Sequence, residues 1–235
     1  MTARVTTAML LAAGRGERMR PLTDHTPKPL LEVGGQSLIE RHIRKLAAAG
    51  FERLIINHAH LGERIVSAVG DGSRWGVMIL YSPEHEALET AGGIANALEL
   101  IRADAFAVAN SDVYSEYDYA GLKAAAERLL DNTRTVAHLV LVDNPPHNLS
   151  GDFALDNGKV GLATANRLTF SGLAAYRRDL FASVRPGEKK PLAPLLATEA
   201  QAGRVTGEHY RGNWTDVGTP ERLVFLDNSL HRKES

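Results

Sequence analysis

The residues best suited to chemistry stand together near the start of the chain. Ala13-Gly14-Arg15-Gly16-Glu17-Arg18-Met19-Arg20 follows an apolar run, and Lys28 sits between Pro27 and Pro29 a few positions on. Glycines at 14 and 16 let backbone N–H groups come close to an anion, and the arginines and lysine supply charge. A dinucleotide-binding turn would need a third glycine where Met19 stands. A P-loop would need Gly-Lys-Ser/Thr after four spacer residues, and the stretch lacks it. A solvated loop with incidental charge is the plain alternative. Glycine, basic charge and Lys28-Pro29 together favour an anion site.

Two aspartates form the second constellation. Asp112 ends Asn110-Ser111-Asp112 after an apolar run, and Asp216 lies in Trp214-Thr215-Asp216-Val217-Gly218-Thr219. Magnesium takes oxygen ligands, typically one or two carboxylates with phosphates and water completing its shell. Two aspartates from separate strand ends suit such an ion. Taken singly, a strand-end aspartate is more often a turn or cap residue.

These residues need elements to place them. Continuous apolar runs at Thr7 to Ala12, Leu54 to Asn57, Val77 to Tyr81 and Phe106 to Asn110 read as strands buried on both faces. Between them, apolar residues recur at helical spacing from Leu38 to Ala49, with Gly50 as the stop, from Leu61 to Val69, and from Ile94 to Leu100 after Gly92-Gly93. Tyr119 to Leu130 reads as a helix and Thr135 to Val142 as a strand. Further on, Asn157-Gly158 marks a hairpin turn, Thr169 to Tyr176 and Trp214 to Val217 read as strands, and Leu192 to Ala202 as a helix. Thr219-Pro220 opens a last helix as N-cap and first-turn proline. Alternating strands and helices predict a parallel sheet covered on both faces, with ligands beyond the carboxyl ends of its strands. Residues 1–235 read as one domain, with a first half to about 115 and a second half from about 116.

Composition narrows the partners. The 235 residues include 27 basic and 28 acidic side chains, a net charge of −1, which gives no footprint for nucleic acid. The chain has no cysteine, so thiolate nucleophiles and cysteine metal sites are excluded. No stretch approaches the roughly 18 apolar residues of a membrane span. The run Ala8 to Ala13 leads into charged residues where a signal peptide would have a small neutral cleavage site, so a cytoplasmic protein is expected. His58 and His60 lack a third ligand and read as structural. Asp179, Glu188, Lys189 and Lys190 read as a solvated face.

The stretch Leu11-Ala12-Ala13-Gly14-x-Gly16-x-Arg18-Met19-x-Pro21-Leu22-Thr23, with Pro27-Lys28-Pro29-Leu30, resembles the signature of the sugar-1-phosphate nucleotidyltransferases. The resemblance implies a three-layer α/β/α Rossmann-like fold with a mostly parallel mixed central sheet. It implies that Ala13, Gly14, Gly16 and Glu17 wrap a triphosphate, that Arg18 and Lys28 are catalytic cations, and that Asp112, catalytic as well, binds Mg2+ with Asp216. Glu17 stands where the common form has threonine, and Ser111 where relatives often have glycine. Glu84, His85, Glu89 and Thr90 correspond to the loop that seats the nucleobase. Asn110, Asn144, Gly151, Asp152, Thr169, Ser171 and Trp214 correspond to the sugar-phosphate side.

Segments 138–144, 151–153, 168–172 and 207–218 are similar to the N-acetylmuramate 1-phosphate uridylyltransferases of bacterial cell-wall recycling. The implied substrates are UTP and N-acetylmuramic acid 1-phosphate, and the implied assembly is a monomer or small homo-oligomer. Arg211 is a candidate for the lactyl carboxylate, although a surface arginine needs no such role. Other readings stay open: a mannose-1-phosphate guanylyltransferase or another sugar-1-phosphate nucleotidyltransferase, and a nucleotide-sugar-binding regulatory module. A glycosyltransferase would normally show an Asp-x-Asp pair, which Asp112-Val113-Tyr114 lacks.

Overall fold

The computed structural model describes residues 4–232. The first strand, β1 (Thr7–Leu11), runs into the glycine loop, which holds a short 3-10 turn (Glu17–Met19) and the single-turn helix α1 (Leu22–His25). A small hairpin of β2 (Glu32–Val33) and β3 (Gln36–Ser37) leads into α2 (Leu38–Ala48). Ser37 caps α2 by accepting from the Glu40 amide, and Gly50 ends it at φ 80°, a left-handed position that glycine adopts freely. Then follow β4 (Arg53–His58), α3 (Gly62–Val69), β5 (Met78–Pro83), α4 (Glu89–Ile101) and β6 (Ala105–Asn110). The second half contains β7 (Val113–Ser115), α5 (Tyr119–Asp131), β8 (Ala137–Val142), β9 (Phe153–Asp156), β10 (Lys159–Gly161) and β11 (Arg167–Arg177). It closes with α6 (Ala193–Gln201), β12 (Val205–His209), β13 (Trp214–Asp216) and α7 (Pro220–His231).

Nine strands form one mixed sheet in the order β5-β4-β1-β6-β11-β8-β12-β10-β9. The four strands of the first half are parallel to one another, whereas β11 runs antiparallel to both β6 and β8. Strand side chains alternate between the two faces. Ala8, Leu10, Leu54 and Ile56 pack with α2, α3 and α5, while Met9 and Ile55 pack with α4 and α6. The Asn157-Gly158 turn between β9 and β10 has both residues at positive φ, as a type I′ hairpin requires.

The short strands β2, β3 and β7 have no predicted counterpart, and two larger features also differ from the sequence-based expectation. Helix α4 begins at Glu89, so Gly92 and Gly93 lie inside it and do not start it. A Cβ on Gly92 would stand 2.2 Å from the Glu188 carbonyl, and one on Gly93 would stand 2.7 Å from Glu84 Oε1. Both glycines thus permit close packing, and the backbone around Glu188 and Lys190 is part of that packing even though its charges reach solvent. Strand β12 has no counterpart among the predicted strands. Its Val-Thr-Gly-Glu-His sequence is mostly polar, and it is held in the sheet by parallel pairing with β8 along its whole length.

Candidate active site

The chain leaves β1 on one side to build β4 and β5, then returns to build β6 on the other side of β1. Order reverses between β1 and β6, and the crevice at such a switch point is the ligand site of open α/β sheets. A cleft of about 310 Å³ opens there, lined by Ala13, Gly14, Lys28, Thr90, Asn110 and Asp112 among others.

Its floor is tied together by polar bonds. The Ala12 amide donates to Asn57 Oδ1 at 2.9 Å, Asn57 Nδ2 donates to Glu84 Oε1 at 2.6 Å, and Glu84 Oε2 accepts from the Leu88 amide at 2.9 Å. Glu84 lines the cleft, but both its oxygens are engaged in holding β1, β4 and the segment before α4 in register. Ser111, which stands where relatives often have glycine, donates its hydroxyl to the Leu11 carbonyl at 2.6 Å and ties the ends of β6 and β1. Glu89 and Thr90 also line the cleft, with Glu89 at φ 63°, whereas His85 is exposed and does not.

The glycine loop folds back on itself. Thr23 Oγ1 donates to the Gly16 carbonyl at 2.9 Å, and a Cβ on Gly16 would press on Thr23 and Lys28 at 3.1 and 3.3 Å. Arg15 is a brace: it donates to the Thr23 carbonyl and to Asp24, and this bond first, with Arg20 adding to it, holds Asp24 below the usual carboxylate range. Met19 is fully buried with Leu31, Val33, Leu38, Val217 and Leu226, which explains an apolar residue where a dinucleotide turn would have glycine. Glu17 and Arg18 are exposed, and Arg18 has no ion pair among the described residues.

Lys28 is only 8% exposed, set by prolines on either side, and its Nζ lies 2.5 Å from Asp112 Oδ2. Strands β7 and β13 pair antiparallel, placing Asp216 opposite Val113 and thus beside Asp112. Asp216 has basic partners of its own. Its Oδ2 lies 2.5 Å from Arg222 Nη1, and its Oδ1 lies 3.1 Å from His147 Nε2. Beneath β7, the buried His42 bonds Tyr119 Oη and the Val113 carbonyl, and burial pushes its pKa down to about 4. A neutral imidazole therefore steadies the backbone next to Asp112.

Four of the residues expected on the sugar side, Asn144, Gly151, Asp152 and Thr169, form a separate polar network. Thr169 Oγ1 donates to Asn144 Oδ1 at 2.8 Å and accepts from Asn148, which also donates to Asp152 Oδ1. Asp152 Oδ2 accepts from the Phe170 amide, and Gly151 turns at φ 61° against the Arg167 backbone. The expectation for Ser171 requires correction. It is 1% exposed, and its hydroxyl donates to Val140 and accepts from the Leu173 amide, so it locks a bulge in β11 and has no atom free for a sugar. The bulge carbonyl accepts from Trp214 Nε1 at 2.9 Å and so positions that ring. His58 packs on Tyr81 and Gly62, and His60 bonds the Thr23 carbonyl.

Three residues escaped the sequence reading: Asn57, His147 and Arg222. Asn57 carried a signal, a polar residue ending an otherwise apolar strand. His147 and Arg222 carried none, because each looks like an ordinary surface residue of a loop or a first helical turn.

The family described as Nucleotidyl transferase matches residues 7–149. The N-acetylmuramate alpha-1-phosphate uridylyltransferase of Neisseria meningitidis is 50% identical over 220 residues, covering 92% of this chain and 94% of its own. The protein of the same name from Caulobacter vibrioides is 33% identical, covering 95% and 96%. Among solved structures, a UDP-glucose pyrophosphorylase complexed with UDP-glucose superposes with a TM-score of 0.76 at 18% identity, covering 97% of this chain and 99% of that one.

Proposed function

The chain belongs to the nucleotidyl transferase family, and on that footing we propose that it transfers UMP from UTP to N-acetylmuramate α-1-phosphate. The products are UDP-N-acetylmuramate and pyrophosphate. The observation that carries this reading is the Lys28–Asp112 ion pair at the mouth of the switch-point cleft, with Asp216 stitched beside it. Identity of 50% across nearly all of both chains supports the choice of nucleotide and acceptor.

An oxygen of the sugar phosphate attacks the α-phosphorus in line. A new P–O bond forms as the bond to the bridging oxygen of pyrophosphate breaks. The attacking group is already anionic at neutral pH, so positioning and charge stabilisation do the catalysis and no general base is needed. The amides of Ala13, Gly14, Gly16 and Glu17 receive the phosphates, Arg18 takes the charge of the leaving pyrophosphate, and Lys28 offsets charge at the attacking side. Glu89 and Thr90 seat the nucleoside, with His85 at the rim and Glu84 holding the floor. Asn110, Asn144, Gly151, Asp152, Thr169 and Trp214 shape the acceptor side.

Asp112 and Asp216 are the residues that would hold a magnesium ion. Two carboxylates suit a hard cation that keeps phosphate and water ligands. Bound there, the ion would act as a Lewis acid on the phosphoryl oxygens. On this reading the enzyme works in the cytoplasm, in peptidoglycan recycling, as a monomer or small homo-oligomer. No helix among the described residues is long and apolar enough to cross a membrane.

The test is a panel of nucleoside triphosphates against sugar 1-phosphates with magnesium, scored by pyrophosphate release. UTP with N-acetylmuramate 1-phosphate is expected to react fastest. A clear preference for GTP with mannose 1-phosphate would overturn the substrates and leave the reaction class.

A further inference from the structure

Arg222 is a buried-edge cation that the reaction above leaves unused. Its Nη1 lies 2.5 Å from Asp216 Oδ2 and 3.0 Å from His147 Nε2, while the same His147 nitrogen lies 3.1 Å from Asp216 Oδ1. A single ring nitrogen cannot accept from the guanidinium and donate to the carboxylate at once. One carboxylate is thus shared between two basic side chains, and donor capacity is left over. The Arg222 side chain makes no other hydrogen bond among the described residues, so its Nε and Nη2 are unused. Gly218 keeps the place open, since a Cβ there would stand 2.6 Å from Arg222 Nη2 and 3.0 Å from Asp216 Oδ2.

The location is on the acceptor side. His147 belongs to the 143–152 connection, which also carries Asn144, Gly151 and Asp152, and Asp216 follows Trp214 by two positions. N-acetylmuramate differs from N-acetylglucosamine by a lactyl ether whose carboxylate is ionised at neutral pH. The acceptor therefore brings two anionic groups, and of the cations named above Lys28 alone is assigned to its phosphate. We propose that Arg222, with His147 beside it, recognises the sugar's carboxylate and sets the preference for an acidic acceptor. A guanidinium fork matches two carboxylate oxygens, and Asp216 holds it ready in the free protein. Arg211 is exposed on the turn between β12 and β13 and has no ion pair among the described residues, so nothing orients it for this task.

This inference rests on the acceptor assigned above, and its test separates the two. Arg222→Ala, Arg222→Lys and His147→Gln are compared with the unaltered protein. One readout is kcat/KM with UTP for N-acetylmuramate 1-phosphate and for N-acetylglucosamine 1-phosphate. The other is the calorimetric Kd of UDP-N-acetylmuramate and UDP-N-acetylglucosamine without added metal. Arg222→Ala should lower the preference for the carboxylate-bearing member of each pair by about tenfold or more. Arg222→Lys should restore part of it, and His147→Gln should show a smaller loss of the same kind. Equal losses on both members, with the ratio unchanged, would overturn the inference, because Arg222 would then only hold Asp216 or take the phosphate. If the unaltered protein ignores N-acetylmuramate 1-phosphate while using another acceptor, the assigned function itself falls. Circular dichroism and thermal melting check each fold. Should Arg222→Ala not fold, the ratios for Arg222→Lys and His147→Gln decide.

Discussion

The Val217 amide donates to the Asp112 carbonyl at 2.8 Å, and this one backbone bond makes neighbours of two carboxylates from the two halves of the chain. Each carboxylate meets a different cation, Lys28 for Asp112 and Arg222 for Asp216. The two cations offset the repulsion between the neighbouring carboxylates.

Asp112→Asn should therefore lower kcat by at least about 10²-fold while the fold persists. The amide keeps the shape of the side chain but loses its charge. Pyrophosphate release and circular dichroism measure the two halves of this expectation. Near-normal turnover would remove Asp112 from the chemistry.

Arg18→Ala separates function from stability in the other direction. Arg18 is exposed and has no ion pair among the described residues, so unfolding free energy should change by no more than about 0.5 kcal/mol. Turnover with UTP should nevertheless fall by about 10²-fold. A stability loss matching the activity loss would make Arg18 a structural residue.

Gly92→Ala tests the packing of α4. The new Cβ would meet the Glu188 carbonyl, a backbone atom that cannot rotate away. Urea titration should show a loss of about 2 kcal/mol or more. A neutral result would mean that the 185–191 connection yields without cost.

His42 should make the protein acid-sensitive. The unfolded side chain takes up a proton near pH 6.5, while burial delays protonation of the folded one to about 4. Below the unfolded value the unfolded state binds more protons, so stability is complete above that pH and falls as pH drops through the window. The full fall is about 3 kcal/mol. His42→Gln should be less stable at neutral pH but show a flatter dependence, measured by urea unfolding at several pH values. Parallel slopes for the two proteins would assign the acid sensitivity elsewhere.

Some of this structure was readable in the sequence and some was not. Strands buried on both faces must be apolar runs, so β1, β4 and β6 stood out, and the ends of β1 and β6 marked where Ala13, Gly14 and Asp112 lie. Strand β12 did not stand out, because its Thr206, Glu208 and His209 are only part-buried and its place is fixed by β8. The start of α4 was hidden as well, since no side chain caps it and Glu89 enters at positive φ. Ser171 is placed on the sugar side by resemblance alone, and a serine inside a strand looks the same in sequence whether it faces a ligand or a bulge. The meeting of His147, Asp216 and Arg222 depends on how a loop and a helix lie against each other, which local spacing does not encode.

Met19 has a wider consequence. The glycine loop is pinned through this side chain to Val217 and to Leu226 of α7, and the Gly34 amide adds a bond to Asp227 at 2.7 Å. The last helix is thus the clasp of a hoop whose other end is the phosphate loop. Cutting the chain before Pro220 would remove none of the groups assigned to the triphosphate, yet it would unfasten the loop that presents them. The nucleotide grip, written in the first thirty or so residues, is held shut from the far end of the chain.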